Sequence, residues 1–298
     1  MKIGIDLGGS HVAVGLINEE NKVLNKKEFY MNDNEDESFE EYIIKCICLG
    51  IKDVLLEEKV TIKEIEKIGI AAPGNPEKGV IKNMVNLGIK EFPIKARLEA
   101  IFNIPVKVQN DGICAGLAEK VTGSLKDYSN CVFLCVGTGV GGVLFLNNEL
   151  VKKCSFEVGH MIINKDGETC KCGNKGCFEV YCSKRKFKNK ILDILGVTNH
   201  PKAPEFTKLV NENMTPEIQK IIDEYVNDFV VGLANITNLL SPEAISIGGS
   251  LSHYKELIID KVSEKISNGE NLFNKNNPPK ILVATNENEA GMIGAALL

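Results

Sequence analysis

No stretch of the 298 residues approaches the roughly 18–20 consecutive apolar residues that a membrane-crossing helix requires. Positive charge is not in excess either. Thirty-five Lys and Arg stand against 40 Asp and Glu, a formal net charge of −5, so there is no basic footprint for nucleic acid. The opening MKIGIDLGGS reads as a strand rather than a charged segment followed by an apolar run, and no secretory leader is expected. No low-complexity linker breaks the chain. What remains is an ordinary globular protein, 44% hydrophobic and 25% charged, long enough for two domains and expected in the cytoplasm. Cysteine, by contrast, is plentiful. Ten cysteines without an export signal suggest a reducing compartment, where a cluster more often binds metal than forms disulfides.

The periodicity points to an α/β protein. KIGID (2–6), HVAVGLI (11–17) and a run near 22–29 read as strands joined by tight turns. From Glu35 to Lys59, apolar residues recur at helical spacing through Phe39, Tyr42, Ile43, Ile47, Ile51, Val54 and Leu55. KIGIAA (67–72) and VKVQ (106–109) are short buried strands, the second leading into a helix from about Gly112. CVFLCVGTGVGGVLFL (131–146) then repeats the opening plan of strand, glycine turn and strand, which suggests two domains of similar design. Over 215–240, Thr215 is placed as N-cap and Pro216 at the first helical position, with Ile218, Ile222, Tyr225, Phe229, Leu233 and Ile236 on one stripe. AISIGGS (244–250) is a further strand running into glycines, and AGMIGAALL at the end a small-residue helix. The expected domains are 1–110 with 288–298, and 111–287, meeting at a cleft.

Three cysteines fall within eight positions in ETCKCGNKGCFE: Cys170, Cys172 and Cys177. Gly173 and Gly176 permit the positive φ such a knuckle needs. Tetrahedral zinc requires a fourth ligand, and His160 in EVGHM supplies it, whereas free exposed thiols are the plainer alternative. A site closed by four protein ligands is structural. Cys182 stays outside it, and Cys46, Cys48, Cys114, Cys131 and Cys135, in apolar segments, read as small buried hydrophobes.

DLGGS (6–10), GTGVGG (137–142) and GGS (248–250) each place glycines at a strand end, where backbone can approach a phosphate closely. One such turn says little, and three say more. Asp111 lies where a strand passes into a helix, either as a carboxylate presented to chemistry or as that helix's N-cap.

These segments, with APGNPEKGVIKNMVNLG (72–88), VQNDGICAGLAE (108–119), EVGHM (157–161), CKCGNKGCFE (170–179), LANITNLLSPEAISIGGSLS (233–252) and AGMIGAA (290–296), resemble the sugar kinases of the ROK family over essentially the whole chain. The resemblance implies a two-domain actin-like ATPase fold, ribonuclease H-like, with a cleft. It implies ATP and Mg²⁺ at Asp6, Gly8, Gly9 and Ser10, phosphate contacts from Gly137, Thr138 and Gly139, and Gly248 and Gly249 against the adenosine. Asp111 would be the general base. Asn86, Asn110, Asp111, Glu157, His160 and Glu179 would bind the sugar, and the zinc on His160, Cys170, Cys172 and Cys177 would shape its pocket.

The implied reaction is phosphorylation of a hexose at O6, with glucose first. N-acetylmannosamine or another N-acyl hexosamine follows, then fructose or allose. The expected partner is a small-molecule sugar, with no nucleic acid and no membrane, and a homodimer is an open option. Ser10 stands for the usual Thr, His11 for a frequent Lys, and Val143 where a further Gly often follows. ELVKKCSFE (149–157) is about three residues shorter than is usual, with Phe156 in place of a small residue, which could narrow or disable the pocket. The rival readings are a catalytically weak sugar-binding protein and a sugar-responsive repressor. The second is disfavoured because only five residues precede Asp6.

Overall fold

Strands β1 (Lys2–Leu7) and β2 (His11–Ile17) are almost continuously apolar and almost continuously buried, as the middle of a sheet covered on both faces requires. β3 (Val23–Tyr30) alternates half-buried and exposed residues, the pattern of an edge strand with one wet face. Helix α1 (Phe39–Glu57) starts where the Ser38 hydroxyl accepts from Glu41 N–H, and residues 35–37 of the expected helix lie outside the described residues. The computed structural model describes residues 1–31, 38–74, 76–84, 88–152 and 156–298. β4 (Ile68–Ala72), a small hairpin of β5 (Ile81–Met84) and β6 (Ile89–Phe92), α2 (Ile94–Phe102), β7 (Val106–Asn110) and α3 (Asp111–Val121) follow. The main sheet has the order β3-β2-β1-β4-β7, with β1, β4 and β7 parallel. Its core joins Ile3, Ile5, Val12 and Val14 to Ile43, Ile47 and Ile51 of α1.

The second sheet repeats the plan. Its strands are β8 (Cys131–Val136), β9 (Val140–Leu146), β10 (Glu149–Leu150), β11 (Ala244–Gly248) and β12 (Lys280–Val283). They take the order β10-β9-β8-β11-β12, again with an antiparallel hairpin first and then two parallel neighbours. Between β10 and β11 come α4 (Phe178–Cys182), α5 (Lys184–Leu195), α6 (Ala203–Glu212) and α7 (Pro216–Leu240). Thr215 caps α7 by accepting from Ile218 N–H at 3.2 Å, and the whole expected stripe from Ile218 to Ile236 is buried. Phe187, Phe206, Tyr225 and Tyr254 meet edge-on or tilted with centroids 4.9–6.2 Å apart, a geometry that suits the ring quadrupoles. After β11 come a 3₁₀ turn (Gly249–Tyr254), a π-turn (Lys255–Ile259) and α8 (Asp260–Ser267).

Helix α9 (Ala290–Ala296) returns to the first sheet, packing on β1, β4 and α3. Its small residues are needed because it lies backbone to backbone: a Cβ on Gly69 of β4 would overlap the Ala295 carbonyl. The chain therefore divides into two units, Met1–Thr122 with Asn288–Leu298, and Gly123–Glu287. The boundary falls after Thr122 rather than after Asn110, because α3 is held by α9 within the first unit.

Candidate active site and metal cluster

In the first unit, the C-terminal ends of β1, β4 and β7 lie side by side, the edge at which parallel sheets gather ligands. β1 delivers Asp6, then the turn of Gly8, Gly9 and Ser10, closed by Gly8 N–H donating to the His11 carbonyl at 2.9 Å. Gly9 and Ser10 are exposed. The Asp6 carboxyl lies against the backbone of Gly291 in α9. Burial raises its pKa to about 6; nearby His11 pulls it down and the charge of Asp111 pushes it up.

β7 delivers Asn110 and Asp111. The Asn110 carbonyl oxygen accepts from Ile113 N–H at 3.1 Å and caps α3, while its amide donates to the Gly74 carbonyl at 2.7 Å. Asn110 is therefore the cap, and Asp111, the first helical residue, is relieved of that task. Asp111 keeps one side open to solvent but is crowded by protein on the others, so desolvation raises its pKa, partly offset by hydrogen bonds from Gly112 N–H and its own N–H. Asn86 lies outside the described residues.

In the second unit, Gly137, Thr138 and Gly139 form the turn between β8 and β9, with Gly137 N–H donating to the Gly139 carbonyl at 2.8 Å. Gly248 ends β11, the parallel neighbour of β8, and Gly249 opens the 3₁₀ turn that follows. Gly249 has φ of +69°, and Ser250 Oγ comes within 3.6 Å of where a Gly137 Cβ would stand, so the second and third glycine segments adjoin. Glu179, on α4, reaches the same place. Its Oε2 accepts from Val140 N–H at 2.9 Å, and a Cβ on Gly139 would collide with it. Sequence reading missed this link. Glu157 is exposed at the head of the turn Val158–His160. Phe156 is turned onto Gly142 of β9 and packs against the core, and Val143 is buried in β9.

His160, Cys170, Cys172 and Cys177 place their ligand atoms within 4.8 Å of one another. Cys170 Sγ is 3.7 Å from His160 Nδ1, and Cys172 Sγ is 3.6 Å from Cys177 Sγ. Zinc bonds near 2.3 Å to sulfur and 2.0–2.1 Å to nitrogen put tetrahedral neighbours roughly 3.6–3.8 Å apart, so the donors fit that ion. Main-chain bonds hold the knuckle: Cys170 N–H to the Asn174 carbonyl at 2.7 Å, and Phe178 N–H to the Met161 carbonyl at 2.8 Å. Gly173 and Gly176 take the expected positive φ, +95° and +75°. Cys182 is fully buried away from the cluster. Cys46, Cys114 and Cys131 are buried and Cys48 and Cys135 half-buried, as their apolar segments imply.

Among curated proteins, the chain is 29% identical over 280 residues to the xylose repressor of Caldicellulosiruptor bescii, covering 89% of this chain and 69% of that one. It is 26% identical over 317 residues to the glucokinase of Streptomyces coelicolor, covering 99% and 96%. Among solved structures, a ROK hexokinase from Thermus thermophilus matches at a TM-score of 0.79 and 25% identity, covering 99% of this chain and 96% of that one. The paired five-stranded sheets are those of the actin-like ATPase fold. The ROK family model matches residues 2–298, and with motifs and fold in agreement, the chain belongs to the ROK family.

Proposed function

We propose that the protein is an ATP-dependent kinase that phosphorylates a hexose at O6, glucose before others. The observation that carries this is Asp111: Asn110 does the capping, and Asp111 is left as a crowded carboxylate beside a second one, Asp6. A sugar hydroxyl is a poor nucleophile until such a group takes its proton as the phosphoryl arrives. Amides of Gly8, Gly9, Ser10, Gly137, Thr138 and Gly139 hold the phosphates, and Gly248 and Gly249 lie against the adenosine. Two neighbouring carboxylates whose pKa values are raised by burial are the donor set a cation would relieve. Asp6 would hold Mg²⁺, which when bound offsets phosphate charge.

Glu157, Glu179 and His160 Nε2 hold sugar hydroxyls, with Asn86 and Asn110 beside them. Within the fold, Asn110 already uses its side-chain carbonyl in the cap and its amide on the Gly74 carbonyl and Asp111. The Cys3His set would hold a structural zinc. Phe156 is partly buried and packs against the core, which favours room for N-acyl hexosamines such as N-acetylmannosamine, which stand next, with fructose and allose behind.

The test is kcat/KM with ATP for glucose, mannose, fructose, allose, N-acetylglucosamine and N-acetylmannosamine. The expected result is turnover with glucose foremost. Preference for an N-acyl sugar would change the substrate and leave the kinase. The likeness to a xylose repressor favours a second reading, a sugar-responsive regulator. Sugar binding without turnover of any hexose would select it, or a catalytically weak sugar-binding protein, over the kinase.

A further inference from the structure

Of the described cysteines, Cys172 alone is exposed, while the other two thiols of the metal cluster, Cys170 and Cys177, are buried. Cys172 stands in a loop, Lys171–Lys175, that is exposed along its whole length. Buried structural cysteines are inert to oxidants, whereas exposed thiolates in positively charged surroundings react. Lys171 and Lys175 supply that charge on either side of Cys172. Among the described residues, neither side chain makes a hydrogen bond or an ion pair. The metal set therefore presents one of its sulfurs to whatever is dissolved around it.

Cys177 is placed to complete an oxidation begun there. Its Sγ is 3.6 Å from that of Cys172, so a bridge requires the sulfurs to close by about 1.5 Å. Cys177 is held from below, bridged to Ile162 and followed by Phe178 N–H on the Met161 carbonyl. Cys172 is free to make the approach. It is followed by Gly173 at φ of +95°, with no atom within 4 Å of where a Cβ would stand. Cys170 is less suited as the partner. Its Sγ faces His160 Nδ1 at 3.7 Å, its N–H is tied to the Asn174 carbonyl, and a bridge to Cys172 would have to close over a single residue.

We infer that Cys172 and Cys177 form a peroxide-sensitive pair, whose oxidation to a disulfide dismantles the metal set and loosens the sugar pocket. This rests on the zinc and kinase readings. In the first step the Cys172 sulfur attacks one oxygen of hydrogen peroxide, the O–O bond breaks and hydroxide leaves. Cys172 is then a sulfenic acid, oxidised by the two electrons that the peroxide gains. In the second step the Cys177 sulfur attacks the Cys172 sulfur, the S–O bond breaks and a second hydroxide leaves. Both hydroxides take protons from solvent and become water. Cys170 and His160 alone cannot complete a tetrahedral set, so the site gives up its ion. The effect reaches the pocket because Cys177 heads α4, whose Glu179 holds Val140 N–H beside the Gly137–Gly139 turn.

The experiment treats the full-length, zinc-loaded protein with hydrogen peroxide at a dose that oxidises free cysteine, then quenches with catalase. A chromophoric chelator should read the loss of one zinc per chain, and thiol titration the loss of two thiols. Peptide mapping should find Cys172 linked to Cys177. Glucose binding should fall, amide exchange in the peptide carrying Val140 should quicken, and dithiothreitol with zinc should restore both. Cys172→Asp offers zinc an oxygen ligand that cannot be oxidised, so it should keep its loaded zinc through the same treatment. Zinc and thiols that survive the dose overturn the inference. So does a link through Cys170, or sulfonic acid without a link. Zinc lost as readily from Cys172→Asp overturns it too, and mapping of the wild type decides if that variant takes up no zinc. Unchanged exchange at Val140 after the link has formed removes the control of the pocket. A wild type that binds no sugar before treatment ends the kinase reading instead, and mapping and exchange still decide the switch.

Discussion

A carboxylate proposed to take a proton from a sugar hydroxyl is a weaker base the more of a helix's first amides it accepts from, because those bonds favour its charged form. Asn110 resolves the conflict by capping α3 with its own side chain. Asp111 retains the bond from Gly112 N–H at 2.8 Å, yet burial outweighs it and the pKa is raised. Asp111→Asn should therefore lower kcat by at least ~10²-fold, the low end of general-base contributions, while sugar binding persists. The sign in pH follows. A base works ionised, so kcat/KM should fall as pH drops through a value above the ordinary carboxylate range. Asp6 is raised to about 6, mainly by burial, and the charge of Asp111 adds to that rise. A pH–rate profile checks this, and a variant within a few-fold of wild type would remove Asp111 from the chemistry.

At the scale of elements, the knuckle and the glycine turn are one construction. Cys177 belongs to the metal set, and two residues later Glu179 bonds Val140 N–H at the β8–β9 turn. Removing the proposed zinc by chelation, or by Cys177→Ser, should lower both thermal stability and sugar affinity, since on that reading folding and pocket geometry share these ligands. Elemental analysis should find one zinc per chain, and protein prepared without chelators that contains none would refute the site. The knuckle was legible in sequence because ligand spacing is local. So were both hairpins, as apolar runs around glycines, and α7, with Thr215 and Pro216 at its head. The contact between Glu179 and Val140 was not legible, because nothing local marks a pair 39 residues apart. Nor was the capping role of Asn110, since Asn and Asp cap equally well. α5 was hidden in KRKFKNKILDIL, where five cations obscure the buried stripe of Phe187, Ile191 and Leu192. α9 was legible as a small-residue helix, but its backbone-to-backbone seat against Gly69 was not. Gly69→Ala should accordingly cost about 1–3 kcal/mol by overpacking against the Ala295 carbonyl, read from urea unfolding. A neutral result would mean that α9 can shift freely.

For the molecule as a whole, the first unit holds a charge it would be more stable without. Burial raises Asp6 from the usual value near 4 to about 6, so between those limits the folded chain binds a proton that the unfolded chain has released. Stability from this group is then present at low pH and is lost as pH rises through about 6, opposite to the common case of a paired carboxylate. The shift corresponds to on the order of 2 kcal/mol once partial exposure is allowed for. Asp6→Asn removes the ionised form and keeps the shape. It should stabilise the ligand-free protein at pH 7–8 by about that amount, with little change near pH 4, while abolishing magnesium-dependent phosphorylation. Keeping a destabilising charge is expected where function needs it. Urea unfolding of wild type and variant across this pH range provides the test, with metal content at the cysteine cluster held equal. If Asp6→Asn is no more stable than wild type at pH 7.5, Asp6 is already balanced by His11, and no excess negative charge waits there for a cation.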